Sequence, residues 1–317
     1  MATLAARIEG IGLLGPGFEG WTNSIAILEG RTPYVRQTTV VPTPEGLPPA
    51  ERRRVGLVVK LALGVGLQAT ASAEVAPDAL PAVFASSGGD GENCHEICQT
   101  LANDEKLISP TRFHNSVHNA AAGYWSIATR SKAASNALCA FDWSFAAGLL
   151  EAVTQVVVDQ TRVLLVAYDA PYPQPLFAKR PIPEAFGVAF VLAPAHAPRP
   201  GAKSRGPLAL ADALSQITAA TGATRALSAA AIGLGPAADA AGITRALSAA
   251  ASARLTLRVD DAAADRMGNS ELEALRTTIP AARSLPLLQL LAARKAGVVN
   301  VEYLDRRSLA VEVTPCT

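Results

Sequence analysis

The sequence predicts an α/β layered fold in which a mixed sheet carries helices packed on its faces. Three observations predict it. Short apolar runs of strand length alternate along the chain with longer segments whose apolar residues recur at helical spacing. Half of the 317 residues are hydrophobic but only 5% are aromatic, so Ala, Leu and Val dominate the core, as in helices laid on a sheet. The runs RVLLVAY at 162–168 and FGVAFVL at 186–192 carry almost no polar residue, the pattern of strands covered on both faces.

Element by element, residues 7–14 read as a first strand closed by Gly15-Pro16-Gly17, and 21–28 as a short helix before Gly30. The Pro- and Thr-rich stretch 38–49 is a loop. A long helix is expected over 50–71, with Val55, Val58, Val59, Ala62, Leu63 and Leu67 forming a broad apolar face. Residues 82–85 give a buried strand running into Ser86-Ser87-Gly88-Gly89, followed by a helix over about 92–101. Residues 110–128 read as a helix opened by Pro110, with the small run Ala120-Ala121-Ala122-Gly123 permitting close packing. A strand over 133–138 precedes Cys139 and a helix to about 153, for which Asp142 and Ser144 stand at capping positions. The strands 162–168 and 186–192 should lie centrally in the sheet.

Past residue 194 the octapeptide TRALSAAA occurs at 224–231 and again at 244–251. Two copies are too few for a solenoid. The stretch reads as an Ala-rich insertion at 215–252 within one domain spanning 1–317. A strand at 254–259, a helix at 280–296 with Leu285, Leu288 and Leu291 inward, and a hairpin of 298–304 with 308–313 complete the chain.

Bulk properties narrow the function. A net charge of +1 gives no electrostatic footprint for nucleic acid, and Arg52-Arg53-Arg54 reads as a solvated helix start. The most apolar segment, 55–67, is short of a membrane span and is interrupted by Lys60 and three glycines. The first residues show no signal-peptide pattern, and four cysteines without a repeating framework fit a reducing, cytoplasmic setting.

Chemistry is most concentrated at Cys139. A cysteine at a strand-to-helix turn lies near the positive end of a helix dipole, a place that favours a thiolate nucleophile. The alternative is a small thiol packed at a helix start. Cys94 and Cys98 lie one helical turn apart around His95, but a zinc site needs about four ligands, so two partly buried thiols are expected. His114 and His118 also fall at i and i+4. Without a Glu beside the first histidine they do not form a metalloprotease motif, and capping or inter-subunit hydrogen bonds by Asn115, Ser116 and Asn119 are the better use. The Ser86-Ser87-Gly88-Gly89-Asp90-Gly91 run has neither the spacing nor the lysine of a phosphate loop. It is a tight connection. No cofactor and no metal are expected.

Several of these segments, in this order, resemble the ketoacyl-synthase group of the thiolase fold. FASSGG at 84–89 is similar to the strand and glycine loop preceding that group's dimer region, and ISPTRFHNSVHN at 108–119 to its Ser-Pro…Asn-x-x-x-Asn helix start. The Cys139 turn stands at the acyl-accepting position, and AFGVAFV at 185–191 resembles the Gly-Ala-Gly-Val strand. The match covers most of residues 7–194. More closely, SFAAGLLEA at 144–152, PAARSLPLLQLLA at 280–292 and EYLDRRSLAVEV at 302–313 resemble the short ketoacyl-synthase-like N-terminal domain family of aryl polyene and xanthomonadin-type clusters. The resemblance implies a thiolase-like half-fold with a truncated second half. It also implies a β-ketoacyl synthase or acyltransferase using Cys139, or an accessory subunit akin to a chain-length factor. Partners would be a complete ketosynthase, or a second copy, through residues 107–128, and an acyl carrier protein.

The chain departs from a working ketosynthase in its second half. His-Gly-Thr-Gly-Thr and Asn-Ser-Phe-Gly-Phe-Gly-Gly motifs, which carry the two histidines for decarboxylation and oxyanion binding, do not occur; the four histidines are His95, His114, His118 and His196. At the turn itself, Phe141 and Trp143 add bulk where small residues are usual. The accessory role is therefore the expected one.

Overall fold

A computed structural model describes residues 4–104, 106–195 and 253–316. The repeated octapeptides, the 215–252 insertion and His196 lie outside the described residues.

The strands are β1 (Leu4–Gly15), β2 (Phe18–Glu19), β3 (Ala82–Ala85), β4 (Ser135–Leu138), β5 (Val163–Asp169), β6 (Phe186–Pro194), β7 (Ala253–Asp260), β8 (Gly297–Glu302) and β9 (Ser308–Pro315). All join one mixed sheet in the order β4-β3-β5-β6-β1-β7-β9-β8, with β2 folded back on β1. Pairings β3–β4 and β3–β5 are parallel, whereas β5–β6, β1–β6, β1–β7, β7–β9 and β8–β9 are antiparallel. The four strands expected to share a sheet do so, and RVLLVAY is central in it.

Alternation along the strands divides the core into two layers. Val163, Leu165 and Ala167 of β5, with Phe186, Val188, Phe190 and Leu192 of β6, face α7 (Ser144–Asp159) and the C-terminal helix α10 (Leu285–Ala292). Leu164, Val166 and Tyr168, with Ala189 and Val191, face α3 (Leu57–Ser72) and α6 (Ala120–Thr129). Both faces of β5 are thus covered, which is why its sequence carries no polar alternation. Among the described residues the remaining helices are α1 (Trp21–Leu28), α2 (Pro49–Arg52), α4 (Gly91–Ala102), α5 (Pro110–Asn115), α8 (Leu176–Lys179) and α9 (Ser270–Thr278).

The segment Phe141–Asp159 is long and apolar enough to cross a membrane by length and composition. In the fold it is a core helix whose Phe145, Leu149, Val153 and Val156 are fully covered by the sheet. A Cβ on Gly148 would stand 2.7 Å from the Ala85 Cβ and 3.0 Å from Leu165 Cδ1. Glycine there lets α7 lie close on β3 and β5, and so fixes the height of the turn that precedes it.

Two expected helices are broken. The 50–71 helix splits into α2 and α3 at Arg53–Gly56, where Gly56 disfavours helix interior and Asn115 Nδ2 donates to the Arg54 carbonyl. The 110–128 helix splits into α5 and α6. There the Ser116 hydroxyl donates to the Phe113 carbonyl at 2.8 Å, a local bond that competes with the helical one. Of the small run, Ala121 and Ala122 are buried, but Gly123 faces open space. The 280–296 helix begins as a 3-10 turn, Pro280–Ser284, and only Leu285–Ala292 is α-helical; Leu285, Leu288 and Leu291 point inward as expected. Helix α9, absent from the sequence reading, is capped by Asn269, whose side chain accepts from the Glu271 and Leu272 amides.

Candidate functional site

The strand β4 delivers Cys139 to its C-terminal end, as the sequence indicates, and the thiol is exposed there. Between β4 and α7 the chain makes a 3-10 turn, Phe141–Trp143. Phe141 adopts φ +53°, a left-handed conformation uncommon outside glycine. Arg180 supports it: the guanidinium carbon lies 3.9 Å from the centre of the Phe141 ring.

The expected capping roles at this turn are corrected. Asp142 does not cap α7, because the 3-10 turn shifts the helix start to Ser144. Its carboxylate instead takes Arg180 Nη2 at 2.7 Å and Arg283 Nη2 at 3.2 Å. Ser144 folds back on the turn, its Oγ accepting from the Ala140 amide at 3.0 Å and donating to the Phe141 carbonyl at 2.7 Å.

Cys139 Sγ donates to the Ser87 carbonyl at 3.1 Å. Ser87 is fixed in turn by Asp169, the last residue of β5. Asp169 Oδ1 accepts from the Ser87 amide at 2.9 Å and from the Ser87 hydroxyl at 2.6 Å, while Oδ2 accepts from the Ala281 amide at 2.8 Å. Burial pushes the Asp169 carboxyl up to about 6, against the opposing pull of its Ser87 and Ala281 donors and of Arg180. The adjacent loop closes on Tyr172: a Cβ on Gly88 would meet the Tyr172 hydroxyl at 1.8 Å, so only glycine leaves that ring its place.

Arg283 sits in the 3-10 turn that opens the second-half helix and is 8% exposed. Besides Asp142 it lies 2.8 Å from Glu302, and Arg276 reaches the same carboxylate at 3.6 Å while holding Glu273. The Arg283 Nε has no hydrogen-bond partner among the described residues, so it is held by charge more than by aligned donors.

His114 and His118 each have another partner. His114 packs edge-on against Tyr124, and His118 Nε2 lies 3.2 Å from the Ser86 carbonyl. Because α5 ends at Asn115, the pair does not share one helix face. Asn115 bonds within the chain, donating to the Arg54 carbonyl and accepting from the Tyr124 hydroxyl. Cys94 and Cys98 are exposed on α4 rather than partly buried. Asp90 caps α4 through the Asn93 amide, so the glycine-rich run is the tight connection expected. No group of three or more His, Cys, Asp or Glu side chains is assembled among the described residues.

Sequence reasoning singled out Cys139 and read Ser86 to Gly91 only as a tight connection; it missed Asp169, Tyr172, Arg180 and Arg283 beside them. A signal existed for Asp169, a lone carboxylate closing an otherwise apolar strand. For the arginines there was none, since they reach the turn across the fold.

The chain is similar in fold to several solved ketosynthase complexes. One is a ketosynthase in complex with its chain length factor from Xenorhabdus doucetiae, with a TM-score of 0.61 and 20% identity over 97% of this chain and 99% of that one. Another is the ishigamide ketosynthase/chain length factor, with a TM-score of 0.57 and 14% identity over 98% of this chain and 100% of that one. A third is a type II PKS acyl-carrier protein in complex with its ketosynthase bound to the hexaketide, with a TM-score of 0.63 and 10% identity over 98% and 99%. These likenesses establish the thiolase-like ketosynthase fold. No curated protein matches the sequence. The model of the beta-ketoacyl synthase N-terminal domain matches residues 29–232, which include β3, β4, β5, β6 and the whole Cys139 turn, and the chain belongs to that family.

Proposed function

We propose that this chain is an accessory, ketosynthase-like subunit, comparable to a chain-length factor, in bacterial polyene or fatty-acid-type biosynthesis. The observation that carries the reading is the use of the Cys139 thiol. Its Sγ is hydrogen-bonded to the Ser87 carbonyl, and His118 Nε2 is held on the Ser86 carbonyl. Condensation of a malonyl unit develops enolate charge, and losing one positioned donor costs about 100- to 1,000-fold in rate. The family's two second-half histidine motifs do not occur in this sequence, so two such contributions are missing together.

A partner surface supports the same reading. Among the described residues β4 ends the sheet order, and an open strand edge invites pairing. The 107–128 region exposes Leu107 at 76%, Phe113 at 68% and Val117 at 53%. A complete ketosynthase, or a second copy, would cover these residues, with an acyl carrier protein delivering the chain to the assembly. Obligate interfaces of this kind bury on the order of 2,000 Å² or more. The test is co-purification of the tagged full chain with the complete ketosynthases of the same organism. A stable complex is expected. A monomer at micromolar concentration that recovers none of them would overturn the proposal.

The second reading is an enzyme in which Cys139 accepts an acyl group, the missing groups being supplied by a partner or by water. Its support is the exposure of the thiol at the strand-to-helix turn. Intact-protein mass after incubation with a long-chain acyl-carrier thioester distinguishes the two, since only the enzyme gains the acyl mass at Cys139.

A further inference from the structure

Two chains of contacts leave Asp169, and both end on the Cys139 turn. Through Oδ1 the carboxylate holds the amide and hydroxyl of Ser87, whose carbonyl receives the Cys139 thiol. Through Oδ2 it holds the Ala281 amide at the start of the 3-10 turn whose Arg283 pairs with Asp142, three residues beyond Cys139. The strand β5 that carries Asp169 is buried along its whole length, so this anchor is rigid.

We propose that Asp169 is the positioning residue of the Cys139 turn, pinning both of its ends to the sheet at once. The proposal rests on the placement of the candidate site at Cys139 but not on any acyl chemistry there. A carboxylate suits the position because the Ser87 amide and hydroxyl, the Ala281 amide and, at 3.5 Å, the Ser86 hydroxyl all converge on it, and it has acceptors for all four. An amide cannot replace it. Whichever way the side chain turned in Asp169→Asn, its NH₂ would face either Ser87 or Ala281, donor against donor. A protonated carboxyl likewise surrenders one acceptor site to its own proton.

Several other charged or titratable groups sit on the elements packed around Asp169. Arg180 favours its ionised form, and Tyr168 beside it is pushed up by burial, with the charges of Asp169 and Asp90 adding. His118 meets the Ser86 carbonyl, Cys139 the Ser87 carbonyl, and Arg283 follows Ala281.

The test reads thiol accessibility on the full folded chain. Wild type and Asp169→Asn are labelled with 4,4′-dithiodipyridine between pH 5 and 8, and peptide mass spectrometry gives the Cys139 rate relative to Cys316. Losing one arm should raise that ratio roughly two- to tenfold, the scale of one net hydrogen bond. In wild type the ratio should rise as pH falls through the Asp169 titration. In Asp169→Asn it should be high and flat. If that variant fails to fold, Ser87→Ala, which removes only the hydroxyl donor, should still raise the ratio. A ratio and pH profile matching wild type, in folded Asp169→Asn or, failing that, in Ser87→Ala, would overturn the assignment. Neither result bears on whether the chain pairs with a ketosynthase.

Discussion

Arg283 reaches Asp142 at 3.2 Å, joining the turn after Cys139 to the first turn of the second-half helix. The pair ties segments far apart in sequence at the candidate Cys139 turn. Glu302 shares the same arginine at 2.8 Å. Arg283→Ala would remove the buried cation that joins the two carboxylates, leaving Asp142 with Arg180 and Glu302 with Arg276. Because Asp142 and Glu302 keep some contact with water, the expected loss is about 1–3 kcal/mol, below that of a fully buried pair. Urea unfolding at neutral pH measures it; an unchanged midpoint would show the pair to be incidental.

Asp169 should make stability depend on pH in an unusual direction. Its carboxyl is raised from 3.8 to about 6, chiefly by burial. Between those values the folded chain holds a proton that the unfolded chain has released, so this residue's contribution falls as pH rises through the window. Asp169→Asn has no such proton. The stability difference, wild type minus variant, should therefore decline across that range and level off above it. A difference that stays constant there would contradict the assignment.

Gly88 should tolerate no side chain. The Tyr172 hydroxyl occupies the place of a Cβ at 1.8 Å, and Tyr172 packs as closely on Gly91. Gly88→Ala is expected to cost about 1–3 kcal/mol by overpacking. In Gly88→Ala/Tyr172→Ala the combined loss should be less than the sum of the single losses, because the first change no longer displaces a ring. Strict additivity in thermal or urea unfolding would count against the contact.

Much of this architecture was legible beforehand, and for identifiable reasons. β5 and β6 are apolar on both faces, so RVLLVAY and FGVAFVL announced central strands. The Cys139 turn was visible because a strand pattern gives way to helical spacing at that point. The broken helices were not visible, because Ser116 and Asn115 end α5 with bonds to Phe113 and Arg54, the latter 61 positions away. Asp142 was misread for the same reason. Capping is a local expectation, and its actual partners, Arg180 and Arg283, lie across the fold.

The exposed apolar side chains of the 107–128 region should matter for association and not for folding. Phe113 is 68% exposed, so Phe113→Asp should change stability by no more than about 0.5 kcal/mol. It should weaken binding to the ketosynthase partner, or self-association, in sedimentation velocity. A variant that loses stability but keeps its assembly state would place the interface elsewhere.

On the proposed reading, the fold of a ketosynthase is present here without its condensing chemistry. The direct measurement is product formation by the purified chain given a long-chain acyl-carrier thioester and malonyl-carrier, followed by mass spectrometry of the carrier-bound chain. No extended product is expected, with wild type and Cys139→Ala alike and both still binding the ketosynthase partner. Steady turnover by the chain alone, abolished in Cys139→Ala, would contradict this and make Cys139 a working nucleophile.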